Sequence, residues 1–271
     1  RLKAELEIPI MHDDQHGTAV ISAAAIINAC KITHRRIEDL KLVVVGAGAA
    51  AISCARLYKH LGVREIYMID SKGVVHNGRS DLNEYKREFS APKYLSHSEV
   101  FKSADVVVGL SRPGTFTLED IKAMAPDPIV FTLANPTPEI YPEDVKQARP
   151  DAIIATGRSD FANQVNNVLG FPFIFRGAMD VRARKINTEM KVAAANALAK
   201  LAQEEVPQYL SELYGRKLEF GRDYIIPTPF DKRLVVEVSS AVAQSAIDTG
   251  SSTIKDFDMK AYKKELKKRV K

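Results

Sequence analysis

The chain has 271 residues, 45% of them hydrophobic, with a net charge of +5 and two cysteines. That length allows one large domain or a domain with an appendage, and the apolar content is enough for a substantial core. No apolar window approaches the length of a membrane span, and the charged opening, residues 1–5, does not read as a secretory signal.

Taken in chain order, Arg1-Leu-Lys-Ala-Glu-Leu6 reads as the last turns of a helix begun upstream, with no initiator Met. The expectation is a piece of a longer polypeptide. Next comes His12-Asp13-Asp14-Gln15-His16, followed by Gly17–Cys30, a small-residue stretch apolar nearly all round and therefore a helix buried on both sides. Asp14 reads as the N-cap and Asp13 as its neighbour at the positive dipole end. The other reading makes one aspartate a ligand of a hard divalent cation, with the second in support. His12 and His16 are four apart, but the helix starts between them, so a zinc pair is not expected. Cys30 and Cys54 fall in apolar helical patterns and read as buried free thiols of a cytoplasmic protein.

Residues 41–51 carry the strongest signal. The run Lys41-Leu-Val-Val-Val45 feeds Gly46-Ala-Gly48-Ala49-Ala50-Ala51, a helical pattern covers 52–61, and a second apolar run, 65–69, ends in Asp70. These are the parts of a dinucleotide-binding βαβ unit in order. Gly46 allows the tight turn and Gly48 lets the backbone approach a pyrophosphate. Ala51 keeps helix and strand close, and the helix N-terminus offers its N–H groups to phosphate. Asp70 is placed to accept from an adenosine ribose.

Further strands are predicted at 105–109, 129–133 and 152–155, separated by helical stretches at about 96–104, 117–125 and 141–148. The alternation predicts the α/β class: a doubly wound, Rossmann-like parallel sheet, with the extra N-terminal helix and C-terminal helices packing back. Ligands of such sheets bind where the strands end. That places Asp70-Ser71-Lys72, Gly109–Gly114 with Ser111, Ala134–Pro138 with Asn135, and Thr156–Asp160 at the binding edge. The polar run Asn163-Gln164-Val-Asn166-Asn167 would be costly to bury without partners, which a polar ligand could supply. A long helix is predicted at Thr188–Gln203 and another from about Asp231 to Asp248. Residues 251–252 read as a linker. Residues 255–271 hold seven lysines and one arginine against three acids and read as a solvated amphipathic helix, with no nucleic-acid motif beside it.

The segment Ile8–Ala19 resembles the corresponding part of malic enzymes. The resemblance continues through Val-Val-Gly-Ala-Gly-Ala-Ala, Ile-Asp-Ser-Lys-Gly, Leu-Ala-Asn-Pro-Thr-Pro-Glu-Ile, Ala-Thr-Gly-Arg-Ser-Asp and Asn-Gln-Val-Asn-Asn-Val-Leu-Gly-Phe-Pro, in the family order, to about residue 250. It is nearest to bacterial hybrid malic enzymes, whose malic part precedes a phosphotransacetylase-like domain. Residues 255–262 are similar to the linker leading into it. The resemblance implies an NAD(P)-binding domain over 1–250 and a linker with basic helix over 251–271. It also implies oxidative decarboxylation of L-malate to pyruvate and CO2, with NAD(P)+ and Mg2+ or Mn2+. On this basis Asp14 matches a metal ligand, Asp13 its catalytic neighbour, and Thr18 a cofactor contact. Asn135 and Asn167 match malate-binding asparagines, Asn135 also lying near nicotinamide. Lys86 resembles the lysine that NADP-using members place on the 2′-phosphate. The general-base lysine, general-acid tyrosine and two further metal ligands of the family fall outside this sequence, so the chain alone is expected to turn over little. Malic enzymes of this type imply a homo-oligomer. Phe173 stands where the family usually has Gly.

Asp70 by itself favours a free ribose hydroxyl and NAD, whereas Ser71, Lys72 and Lys86 favour NADP, which is the expectation here. Two other readings are another hydroxy-acid dehydrogenase on the same scaffold, and a non-catalytic nucleotide- or effector-binding module. The Asp13-Asp14 and Asn166-Asn167 pairs argue against the first. Asp14, Asn135 and Asn167 argue against the second.

Overall fold

The computed structural model describes residues 5–254 and 256–270. Expectations resting on residues 1–4, 255 and 271 lie outside the described residues. The chain divides into two compact units: a sheet unit of residues 26–165 with 221–223, and a helical unit of the described residues up to 25, 166–220 and 224 onward. Helix α1, Asp13–Thr33, starts in the helical unit and ends in the sheet unit.

In the sheet unit, β1 is Lys41–Val45, β2 Glu65–Asp70, β3 Gly73–Val74, β4 Val106–Gly109, β5 Ile129–Thr132 and β6 Ile153–Thr156. The order is β3-β2-β1-β4-β5-β6. All neighbours are parallel except β3, an antiparallel edge strand whose two residues leave no periodic signal in the sequence. Between the strands lie helices α2 (Ala49–His60), α3 (Glu84–Arg87), α4 (His97–Phe101), α5 (Leu118–Lys122) and α6 (Pro142–Ala148). The predicted α/β architecture is present. Of these helices, only α3 has no counterpart in the sequence reading.

Val-rich strands suit a sheet covered on both faces, since each residue buries apolar surface whichever way it points. Every residue of β4 and β5 is buried. One core cluster joins Val43, Val107 and Val130 of the sheet to Phe101, Phe116, Ile121 and Val145 from the covering segments. Each such fully buried side chain contributes roughly 1.5–3 kcal/mol. Cys30 and Cys54 are buried free thiols, as expected, and burial pushes the Cys30 thiol up to about 12.

The helical unit contains α7 (Phe171–Asp180), α8 (Thr188–Gln203), α9 (Gln208–Leu213), α10 (Leu234–Asp248) and α11 (Met259–Arg269). Its centre is α10, which packs on both α7 and α8. Helix α8 has the predicted bounds. Helix α7 is missing from the sequence reading because Pro172 and three phenylalanines resemble a turn and strand. Proline in the first helical turn is in fact well tolerated, its missing N–H having no intrahelical partner there. The segment read as a linker is anchored: Arg184 N donates to Ser251 O at 2.9 Å, and Ser252 Oγ donates to Val181 O at 2.7 Å. On the basic helix, Tyr262 Oη donates to Asp180 Oδ2 at 2.9 Å and Leu266 is fully buried. Lys260, Lys264, Lys267 and Lys268 are exposed, while half-buried Lys263 faces Glu237 of α10 at 3.6 Å. Among the described residues no helix is long and apolar enough to cross a membrane.

The contact of α7 with α10 depends on Gly177. A Cβ there would lie 2.3 Å from the Ser239 carbonyl oxygen, a backbone atom that cannot move without shifting α10. Gly177→Ala is expected to cost about 1–3 kcal/mol by overpacking, despite alanine's better helix propensity. Thermal denaturation checks this, with an expected fall of several degrees. An unchanged or raised midpoint would refute the close approach.

Candidate functional site

The parallel ladders pair Val45 with Gly109, Gly109 with Thr132, and Thr132 with Thr156. Four strands therefore end level, and the loops leaving them share one edge. At the end of β1 the chain turns through Gly46, whose φ is +121°. A Cβ there would also lie 2.6 Å from Leu110 O in the loop after β4, so glycine is required twice over. Gly48 differs. Its φ of −83° suits any residue, and a Cβ would meet no protein atom within 4 Å. The protein's own packing gives no reason for glycine at that position, while the open space suits close approach by a ligand. Gly48 caps α2 without any side-chain acceptor for the first-turn amides. Ala49 and Ala50 begin that turn, and Ala51 is buried. An exposed helix start of this kind, supplying amides and a positive dipole end, can hold phosphate.

At the end of β2, Asp70 is not the free ribose acceptor that its position implies. Its side chain is only 7% exposed, and both oxygens have protein partners. Arg79 donates to Oδ1 at 2.8 Å and to Oδ2 at 2.9 Å; Lys86 Nζ, on α3, reaches Oδ2 at 2.6 Å; the Lys72 amide donates to Oδ1. Burial by itself would raise the Asp70 carboxyl, but the hydrogen bonds from Arg79 and Lys86 outweigh it and hold the group at about 2. Arg79 also bridges Asp81, which Lys72 reaches at 2.9 Å. Two carboxylates thus face three cations, leaving one positive charge over. Ser71 lies exposed in the turn between β2 and β3. Arg79 is absent from the sequence reading. The available signal was the Gly73 and Gly78 turns, which fold the segment back and bring an arginine between two aspartates.

Ser111 and Asn135 are exposed in the loops after β4 and β5. Asn135 rests against Gly157, where a Cβ would come within 2.8 Å of its Nδ2. The Asn135–Pro136 peptide is cis. Behind both loops the Glu139 carboxylate, also absent from the sequence reading, is buried and accepts backbone N–H bonds from Ser111 and Ala134. Its signal was an acid in the proline-rich loop between β5 and α6.

The helical unit gathers the other candidates. His16 N donates to His12 O at 3.0 Å and α1 starts at Asp13, so both aspartates lie in its first turn and Asp14 is not the N-cap. Thr18 Oγ1 donates to Asn167 Oδ1 at 3.1 Å, and Asn167 Nδ2 donates to the Asp13 carbonyl at 3.2 Å. Gly17 makes this possible: a Cβ there would lie 2.1 Å from Asp13 Oδ1 and 2.8 Å from Asn167 Cγ. Asp13 Oδ1 is buried with no hydrogen-bond partner. Burial raises the Asp13 carboxyl, the nearby Asn167 amide lowers it, and the charge of Asp14 raises it further. Asp14 itself is exposed. A buried, unpartnered carboxylate oxygen beside an exposed carboxylate fits part of a divalent-cation site. The set is incomplete, because among the described residues no three His, Cys, Asp or Glu side chains cluster to hold a metal.

The three asparagines of the polar run at 163–167 have partners within the protein. Buried Asn163 donates to the carbonyls of Ile154 and Arg222. Asn166 accepts from Val168 N as the cap of a 3-10 turn, Asn167–Leu169. Of the run, Asn167 alone joins the group around Asp13.

The Asp70 cluster makes a direct prediction. A carboxyl held below its unfolded value of about 3.9 adds stability that is complete above that pH and is lost as pH falls toward about 2. In Arg79→Met, burial remains while the main compensating hydrogen bonds go, so the Asp70 carboxyl should titrate well above about 2 and acid unfolding should begin at higher pH. Carboxyl-carbon NMR titration checks it; an unchanged Asp70 titration would contradict the pairing.

Comparison with known proteins follows this geometry. Residues 15–214 match the family model described as malic enzyme, NAD binding domain. An NADP-dependent malic enzyme of Halomonas elongata is 54% identical over 92% of this chain, which spans 60% of that protein. An NAD-dependent malic enzyme of Rhizobium meliloti is 48% identical over 100% of the chain, which spans 36% of it. Among solved structures, the Entamoeba histolytica malic enzyme superposes with a TM-score of 0.87 at 38% identity, covering 99% of this chain and 55% of that one. The chain thus spans roughly a third to three-fifths of these relatives' length. Matched over most of its length by family model, sequence and fold alike, it belongs to the malic enzymes, as their NAD-binding domain.

Proposed function

We propose that this chain is the cofactor-binding portion of an NADP-preferring malic enzyme, which oxidatively decarboxylates L-malate to pyruvate and CO2. Family membership supports the reaction class. The observation that carries the cofactor preference is the surplus positive charge at the end of β2. Relatives named for NADP are 53% and 54% identical to this chain and one named for NAD is 48% identical, which supports the same preference. Local charge supports it further. A bare carboxylate would repel a 2′-phosphate carrying about −1.5 to −2 charges at neutral pH. Here Arg79 engages Asp70 through both guanidinium nitrogens, and Lys86, half-buried beside them, supplies the cation left over. Arg79 is the rigid, bidentate partner; Lys86 is a point charge on a flexible stem, able to turn toward phosphate.

When bound, the nicotinamide accepts the hydride from malate. The chain's own residues bind and orient. The α2 amides at Ala49–Ala51 hold the pyrophosphate beside Gly46 and Gly48, and Ser71 and Lys86 face the adenosine end. Ser111 and Asn135 border the nicotinamide half, with Thr18 a further cofactor contact. Asn135 and Asn167 are the proposed malate contacts. Asp13 acts at the catalytic site, and Asp14 offers one ligand to Mg2+ or Mn2+. Among the described residues no further His, Cys, Asp or Glu side chains join it to complete a metal site. The greater length of the relatives supports further domains in the whole protein, and the family supports a homo-oligomer. Buried reduced thiols agree with a cytoplasmic location.

Titration with NADPH and NADH, followed by reduced-nicotinamide fluorescence, tests the reading. Lys86→Ala should weaken NADPH about 10- to 100-fold, the loss of a charge-assisted contact, and leave NADH within about twofold. Equal weakening of both, or a native preference for NADH, would sink the NADP assignment.

A further inference from the structure

Glu139 is an acid buried in a place that ordinarily excludes one. It is 4% exposed, and among the described residues no lysine or arginine forms an ion pair with it. Burial raises its carboxyl, and only backbone N–H groups act in the other direction. Burying a carboxylate without a cation is costly unless hydrogen bonds replace water, so those bonds must be well made. They come from two different loops. Ser111 N, after β4, donates to Oε1 at 3.0 Å; Ala134 N, after β5 and next to Asn135, donates to Oε2 at 3.2 Å. The Glu139 carbonyl also accepts from Gly114 N at 3.2 Å, so side chain and backbone grip the same loop at two points.

A second, independent feature makes room for this group. Gly109 ends β4, and a Cβ there would lie 2.5 Å from Glu139 Cδ. Glycine weakens a strand, and it is commonly found where another group must come close. The residue after it, Leu110, turns its carbonyl toward Gly46. One carboxylate therefore joins the loop after β5 to the loop after β4, which in turn abuts the glycine turn after β1. β1 and β4 flank the point where the strand order reverses, where open α/β sheets bind their ligands.

We infer that Glu139 is a positioning residue for the dinucleotide, its carboxylate fixing the Ser111 and Asn135 loops at the spacing that the cofactor needs. This rests on the proposed cofactor reading. It adds a residue that touches neither cofactor nor substrate but acts through the two loops that border them. A carboxylate suits the task because it accepts at both oxygens. A glutamine of the same shape turns an amide donor toward one of the two N–H groups and leaves that group unpaired.

The test uses the full chain in three forms: unaltered, Glu139→Gln, and Val145→Ala as a core-destabilised control, Val145 being fully buried on α6. Each is titrated with NADPH and with NADH, melted thermally, and examined by NMR at the Ser111 and Ala134 amide protons. For Glu139→Gln, both dinucleotides should weaken about tenfold with their ratio preserved, as expected for losing a hydrogen bond to a charged group. Both amide resonances should shift and exchange faster. Val145→Ala should lose melting temperature without losing affinity. Affinity of Glu139→Gln within about twofold of the unaltered protein, or a loss no greater than that of a Val145→Ala protein equally destabilised, would overturn the inference while leaving the cofactor reading intact. Failure of the unaltered protein to bind either dinucleotide would overturn the reading, and this inference with it.

Discussion

The level ends of the parallel strands are the constraint on which the sheet unit depends. Parallel ladders fix register through evenly spaced backbone hydrogen bonds, so Val45, Gly109, Thr132 and Thr156 stand side by side. Because both faces are buried, slipping one strand would break bonds without finding an equally buried alternative. Loops far apart in sequence are thereby held in one row, and the chemistry at that edge follows from which residues the loops carry.

Within the row, the structure meets charge with countercharge by two different routes. Asp70 is paired with side chains, Arg79 and Lys86, and with Asp81 and Lys72 included the cluster carries one surplus positive charge. Glu139 is paired with backbone N–H groups alone, which ties loops together without adding any charge. Side-chain cations adjust what a site recognises; backbone donors fix where its walls stand. In the helical unit Asp13 follows neither route. Its Oδ1 is buried and unpartnered, an energetically costly arrangement of the kind that functional sites retain.

Glycine appears in these sites for distinct physical reasons. Gly46 answers a positive φ and the Leu110 carbonyl together, Gly17 lets Asn167 rest on α1, and Gly109 admits Glu139. Gly48 differs from these three: its backbone is unstrained and a Cβ there would meet open space.

The βαβ unit at 41–70 was legible because three independent local signals coincide: a β-branched run, a glycine turn and a terminal acid. The remaining parallel strands and α8 were legible from apolar runs and periodicity. Helix α7 was not, since aromatic residues and a first-turn proline do not separate helix from strand locally. Asp13, Asp14, Thr18 and Asn167 could be named individually, but the contacts among Asp13, Thr18 and Asn167 span about 150 positions and exist only after folding. Asn163 looked like a ligand donor until tertiary contacts supplied Ile154 and Arg222 as its partners. Sequence by itself determined the fold class and the line of candidate residues at the strand ends, because periodicity and turn chemistry are local. Tertiary structure alone decided the partners of Asp70, Asn163 and Glu139, because hydrogen bonding and charge pairing depend on groups that sequence order does not place side by side.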